Sequence, residues 1–270
     1  MNIEKSKIFH INSRNRISGN DNNFMYSIEL NKDDDFDSVI VLGCNIPKSY
    51  YMVQNGYNTF TLKINGQSDK LITIPIGNYN RRSFQASLQN LLLSASGINF
   101  IISYSEPNTV DTGKFFYSYN GLFSGVAFQF YNNNIAELMG FNKNTIINFN
   151  DISKTLISSN VLKFQLEDVI YLRSDIVDNV GVNNNVLQEI YCSNGDKVYG
   201  NINYTYMNLE GTTRSMVKSP SNIYNFYLTD EDQTPIILNG LNINFTIMCY
   251  KKNNIFQLIK GYIKYRTLKK

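Results

Sequence analysis

At 270 residues, with a net charge of +3, 40 Asn against four Ala, 19 Tyr, 17 Phe and no Trp, the chain has room for one large β domain or two smaller ones. So small a positive balance does not mark the whole chain as a nucleic-acid binder, no apolar run approaches the ~18 residues a transmembrane helix requires, and Met1 to Asn23 is too polar for a secretory signal. Cys44, Cys192 and Cys249 are far apart and lack a C-x-x-C pair, which argues for a reducing compartment, against disulfides, and for Cys44 and Cys249 as small core residues.

Residues 1–23 read as a polar, mildly basic arm with one short strand at Ile8 to Ile11. Phe24, Tyr26, Ile28 and Leu30 alternate with polar neighbours, the period of a half-buried strand. The run Asp33-Asp34-Asp35-Phe36-Asp37 lacks the glycine and distal glutamate of an EF-hand loop and reads as a solvated acidic turn. Val39 to Ile46 is a more continuous apolar strand ended by Pro47, and Phe60, Leu62 and Ile64 form another that turns at Asn65-Gly66.

The best-formed unit is Lys70 to Gly97. Ile72, Ile74 and Ile76 alternate as a strand, and Gly77-Asn78 turns the chain. Asn80 then caps a helix over 81–96 whose Phe84, Leu88, Leu91, Leu92 and Ala95 make one apolar stripe, with Gly97 at its end. Arg81 and Arg82 lie in the first helical turn, where the helix dipole disfavours cations, so they are expected to face an acidic neighbour in the chain or on another subunit.

Further strands are expected at Phe100–Tyr104, Phe115–Tyr119 and Val126–Phe130, with a short helix at Asn134 to Gly140. The Asn/Ser/Thr-rich residues 142–160 read as a linker or subdomain boundary. Strands resume at 162–166, 169–172, 187–192, 202–206, 224–228 and 241–250, with exposed loops at 174–185 and 207–221. After Asp232 no acidic residue occurs, whereas Lys251, Lys252, Lys260, Lys264, Arg266, Lys269 and Lys270 are all basic. Residues 251–270 therefore read as a basic tail, either an amphipathic helix on a membrane or acidic partner, or a final strand with a solvated end. About a dozen strands around one substantial amphipathic helix is an all-β sandwich pattern.

Chemistry is sparse in the sequence. His10 is the only histidine, no G-x-S-x-G elbow accompanies it, and the scattered cysteines do not make a zinc set. No nucleotide-binding glycine motif occurs. The expectation is no enzyme, no catalytic residue, no metal and no cofactor, and a protein that works through its surfaces. The sequons at Asn203 and Asn244 read as coincidences of an Asn-rich chain.

Several short stretches resemble one family. They are Phe24-x-Tyr26-x-Ile28-x-Leu30, Val39–Leu42 leading into Ile46-Pro47-Lys48-Ser49-Tyr50-Tyr51, Ile74-Pro75-Ile76-Gly77-Asn78-Tyr79, Leu138-Met139-Gly140-Phe141, Leu228-Thr229-Asp230 and Pro235–Gly240. Together they are similar to the minor capsid or penton proteins of virophages, Polinton-like elements and related large double-stranded DNA viruses. The excess of residues with AT-rich codons agrees with such genomes.

The resemblance implies a jelly-roll antiparallel sandwich, either single with an insertion or as two sandwich-like halves divided into 24–141 and 161–250. It implies a structural protein of an icosahedral shell, located in the virion and made in the host cytoplasm. Its partners would be the major capsid protein and other minor capsid proteins, with copies of itself in a pentamer if it is a penton. The candidate assembly residues are Gly77, Asn78, Tyr79, Arg81 and Arg82 at the strand–helix joint. Lys260, Lys264 and Arg266 in the tail would contact an inner membrane or nucleic acid. The alternatives are a receptor- or glycan-binding sandwich of the fibre-head type and, lower in rank, a jelly-roll hydrolase with two carboxylates about 5–9.5 Å apart.

Overall fold

The computed structural model describes residues 3–106, 109–164, 169–178, 185–192, 200–206 and 213–252. In chain order the strands are β1 (Ile3–Asn12), β2 (Ser18–Gly19), β3 (Asn23–Ser27), β4 (Ser38–Pro47), β5 (Thr59–Lys63), β6 (Lys70–Thr73), β7 (Phe100–Ser103), β8 (Phe116–Tyr119) and β9 (Ala127–Gln129). They continue with β10 (Ile146–Asn148), β11 (Thr155–Ile157), β12 (Val169–Ser174), β13 (Val186–Tyr191), β14 (Asn201–Thr205), β15 (Arg214–Ser215), β16 (Ile223–Thr229) and β17 (Asn244–Lys252). The helices are α1 (Arg81–Ser96) and α2 (Ile135–Leu138). The chain divides into two compact units, Met1–Tyr50 with Glu167–Lys270, and Tyr51–Leu166.

The first unit is a jelly roll. Setting aside the two-residue β2 and β15, its eight strands are β1, β3, β4, β12, β13, β14, β16 and β17. First pairs with eighth, second with seventh, third with sixth and fourth with fifth, all antiparallel, as in one long hairpin. The hairpin is rolled so that β17 also pairs with β4, and β16 with β12. The resulting sheets run β1-β17-β4-β14 and β13-β12-β16-β3, the two-sheet order of a jelly roll. Their inner faces supply the core: Ile11, Cys44, Ile46, Phe245 and Ile247 from one, Phe24, Leu172, Tyr224, Phe226 and Leu228 from the other, all buried. Phe226 meets Phe245 across the layers with ring centroids 5.1 Å apart.

The second unit is inserted between β4 and β12, the third and fourth strands of the roll. It contains the sheets β10-β9-β5-β6 and β11-β8-β7, and α1 packs on β6 and β7. Its core is aromatic. Phe60, Phe84, Phe100, Phe115, Tyr117, Phe128, Phe130, Phe141 and Phe149 form one cluster with aliphatic neighbours. Many pairs meet edge to face, such as Phe128 and Phe149 at 5.1 Å, a geometry that adds about 0.5–1.5 kcal/mol per pair beyond burial. Fully buried Tyr117 donates its hydroxyl to the Met139 carbonyl at 2.9 Å, so the core loses no hydrogen bond to accommodate it.

The helix begins and ends where its caps require. Asn80 accepts the Ser83 amide at 2.9 Å while Ser83 Oγ accepts the Asn80 amide at 3.1 Å, a reciprocal capping box. Gly97 has φ of 70°, and its amide bonds the Leu93 carbonyl. Phe84, Leu88 and Leu92 are the buried residues of the stripe.

Several boundaries differ from the sequence reading. The expected arm contains β1, the first strand of the roll. Lys5 and Lys7 fall on the same side as buried Ile11, while exposed Ile8 lies on the other, so alternation is masked. Residues 142–160 carry β10 and β11 rather than a bare linker; backbone pairing with β9 and β8 overrides their polar composition. The units meet instead at 50/51 and 166/167, where no composition shift marks them. Residues 162–164 lie outside any strand. In the expected exposed loop 174–185, Ile176 and Val177 are buried. The tail beyond Lys252, and residues 207–212 of loop 207–221, lie outside the described residues.

Removing the cap tests how far α1 depends on local signals. Asn80→Ala should cost about 1 kcal/mol, read as a lower urea midpoint at unchanged slope, and an unchanged midpoint would show that packing alone sets the helix start.

Candidate functional site

The strand–helix joint is built from backbone hydrogen bonds. Gly77 exchanges both of its backbone bonds with Val53, at 3.0 and 3.1 Å, and Asn78 Oδ1 accepts the Met52 amide at 2.8 Å. Gly77 has φ of 152°, a region that side-chain-bearing residues rarely adopt, although a Cβ there would meet nothing within 4 Å. Its glycine is therefore a matter of backbone torsion, not space. Tyr79 donates its hydroxyl to the Pro75 carbonyl at 2.7 Å and sets its ring edge-on to Phe84.

Arg81 finds its acidic neighbour within the unit. It makes a bidentate pair with Asp111, at 3.1 and 2.7 Å, and lies 4.3 Å from the Tyr104 ring centroid. The pair lowers the Asp111 carboxyl below its usual range, the Arg81 hydrogen bond being the main cause. Both side chains are well exposed, so the pair orients Arg81 more than it stabilises the fold. Arg82 is exposed. Lys260, Lys264 and Arg266 lie outside the described residues, so the structure brings only the joint residues of the candidate set together.

A second cluster was not expected from sequence. The turn Asp33–Asp37 is clamped by lysines rather than merely solvated. Asp34 is only 5% exposed. Its Oδ2 accepts the Asn31 amide at 2.8 Å, and Lys5 and Lys7 of β1 approach it at 3.0 and 3.6 Å. Lys251 of β17 pairs with Asp35, and Lys218 donates to the Asp34 carbonyl. The Asp34 carboxyl is held below its ordinary range, first by the Asn31 amide and then by Lys5. The lysine spacing carried no signal because the partners lie far apart in sequence.

The motifs near Pro47 and Asn239 also meet. Ser49 donates to the Leu238 carbonyl at 2.5 Å, and Asn239 Nδ2 donates to the Ser49 carbonyl at 2.6 Å.

The two outer faces of the roll differ in chemistry. On β13-β12-β16-β3 the outward residues include Tyr191, Met25 and Ile223, respectively 71%, 39% and 37% exposed, with half-exposed Tyr171 and Tyr227 beside them. On β1-β17-β4-β14, Asn12, Asn244, Asn45 and Asn203 stand directly abreast across four strands. The sequon residues Asn203 and Asn244 are thus strand residues of this row.

His10 shares a 3.0 Å hydrogen bond with Thr246 Oγ1 on that same face. All three cysteines are buried and outside any disulfide. Burial pushes the Cys44 thiol up, and the Cys249 thiol up to about 12, with Asp34 adding to the latter. At neutral pH both are protonated and pack as small apolar residues. Among the described residues, no group of three His, Cys, Asp or Glu side chains is placed to hold a metal, and no helix is long and apolar enough to cross a membrane.

No protein-family model matches the chain, and no curated protein matches it. Among solved structures it is similar to the crystal structure of the selenomethionine-labelled mavirus penton protein, at 12% identity over 90% of this chain and 99% of that one, with a TM-score of 0.43.

Two substitutions probe these clusters. Gly77→Ala should destabilise the protein by about 1–3 kcal/mol through backbone strain alone, and a neutral result in urea unfolding would show that the joint relaxes. For Asp34 the folded pKa is depressed, so its contribution is complete above the unfolded value of about 4 and declines as pH falls through the lower folded value. Melting temperature followed from neutral to strongly acidic pH should drop on that limb, and Asp34→Asn should flatten it. Parallel acid limbs would remove Asp34 from the account.

Proposed function

We propose that the chain is a structural component of an icosahedral double-stranded DNA virus shell, a minor capsid or penton protein acting through contacts with its neighbours in the virion. The supporting observation is the complete eight-strand jelly-roll order, β1-β17-β4-β14 against β13-β12-β16-β3, carrying a second unit with its own core in one inter-strand connection. A fold by itself hosts many functions. The assignment therefore joins that order to the short family-like stretches, of which those at Ile46–Ser49 and Leu238–Asn239 are hydrogen-bonded neighbours.

Assembly needs a surface that gains by leaving water. The outer face carrying Tyr191, Met25 and Ile223 offers one. The opposite outer face carries the amide row beside exposed Ile8 and the cluster of Ile40, Met248 and Tyr250. A contact that joined the apolar face to a different patch on the next copy would be heterologous, and such a contact closes into a ring when its rotation permits. Gly77, Asn78, Tyr79, Arg81 and Arg82 remain proposed assembly residues of the inserted unit, as do Lys260, Lys264 and Arg266 of the tail, toward a membrane or nucleic acid.

Native mass spectrometry of the full chain, alone and with a major capsid protein, tests the reading. The expected outcome is a discrete ring, or a complex with the major capsid protein, and its loss in a Tyr191→Ser, Met25→Ser double variant of unchanged melting temperature. A chain that stays monomeric at high concentration and ignores the major capsid protein would overturn it.

A further inference from the structure

We propose that the outer face of β1-β17-β4-β14 is a binding site for a neutral, hydroxyl-rich ligand, a saccharide, seated in a groove whose floor is Gly43. The groove has a volume of about 500 Å³ and is lined by His10, Asn12, Asn45, Asn244 and Thr246 around that glycine, within the usual size range of small-molecule sites. Two cross-strand rows make it. One is Asn12, Asn244, Asn45 and Asn203; the next is His10, Thr246, Gly43 and Thr205. Paired positions on adjacent antiparallel strands project to the same side, so both rows face outward together.

Gly43 is the informative residue. A glycine within a strand weakens it and commonly marks a bulge or a place where another group must approach closely. A bulge does lie here, with Leu42 as the extra residue between Thr246↔Gly43 and Ile247↔Val41. Yet Gly43 does not have the positive φ that would require glycine, and a Cβ would meet only the Tyr204 carbonyl oxygen, at 3.5 Å, an ordinary contact. Neither backbone torsion nor packing excludes a side chain. What the missing side chain provides is the depression itself, flanked by amides.

The lining selects the ligand class. Each amide has two donors and an acceptor oxygen, the Asn12 oxygen being already taken by the Arg14 amide at 2.8 Å, and Thr246 has a hydroxyl that both donates and accepts. Adjacent amides at strand spacing suit adjacent sugar hydroxyls, which also donate and accept. Asn45 Nδ2 already donates to Asn203 Oδ1 at 2.6 Å, which fixes the amide orientation and leaves the Asn45 oxygen as acceptor. No lysine, arginine or carboxylate is among the described side chains lining the groove, so nothing there would favour a phosphate or a sialic acid over a neutral ring.

The test applies the full-length protein to a microarray of neutral and sialylated glycans, with saturation-transfer NMR on the strongest hits. Neutral glycans should be retained, and Gly43→Val, which fills the floor, should weaken retention at least about tenfold. Asn244→Ala, an exposed truncation that leaves the bulge intact, should do the same at an unchanged melting temperature, so the result does not hang on whether the valine variant folds. Retention of no neutral glycan, preference for sialylated ones, or full retention by Asn244→Ala would each overturn the proposal. So would a change in sedimentation on substitution without glycan binding, which would make the row a contact between copies. The readout is retention by the isolated chain, so it stands or falls separately from the assembly reading.

Discussion

The roll depends on the seating of β17 between β1 and β4. That strand comes from the far end of the chain, yet it supplies the ladder that joins the first strand to the third and buries Phe245, Ile247 and Cys249 against the core. Without it, both neighbouring strands would present open edges, which are templates for wrong pairing. The insertion between β4 and β12 lengthens the path to this pairing. Closure entropy grows only with the logarithm of loop length, about 0.6 kcal/mol per doubling, so a unit with its own core can be accommodated thermodynamically. The kinetic consequence is larger, since non-local pairing slows folding.

Charge supports the same seating. Lys5 and Lys7 come from β1, Lys251 from β17, and all three converge on the aspartates that precede β4. These are the three strands whose alignment matters most. The Asp34 carboxylate is held by a backbone amide as well as by cations, so the cluster can fix the register of its turn even where salt screens the pairs. Exposed ion pairs add little to stability on average; what this one adds is a position.

Legibility followed locality. The α1 limits could be read because cap, stripe and terminal glycine lie within one short stretch, and each acts on its neighbours. The longer strands could be read wherever one side was continuously apolar, as in β4 and β17. β1 could not, because it turns Lys5 and Lys7 toward a carboxylate far along the chain and few apolar residues inward. The boundary at Tyr50 and Tyr51 falls in an apolar-aromatic run that resembles the strands on either side. Of the candidate site, the Gly77-Asn78 turn and the need of Arg81 for an acid were visible, but Asp111 as that acid was not, because nothing in sequence places it opposite the helix start. The amide row was invisible for the same reason: register alone aligns its four members.

Asparagine abundance has to be weighed against this row. Codon bias supplies the residue throughout, and the fold uses it where its short amide has a local role. Among the described residues, four of the six non-glycine positions with positive φ are Asn144, Asn185, Asn222 and Asn239, which tolerate that conformation better than most side chains do. Asn80, Asn133 and Asn150 bind nearby backbone amides. Those uses are conformational and would be met by any chain needing turns and caps. Asn12 shares in them, since its Oδ1 accepts the Arg14 amide at 2.8 Å, but the strand asparagines 45 and 203 differ. Asparagine is disfavoured in strands, these two have no turn to make in mid-ladder, and threonine or tyrosine would suit a solvent-facing strand better. Composition explains why asparagine was at hand, while its alignment around a glycine that neither torsion nor packing requires calls for a reason at the surface.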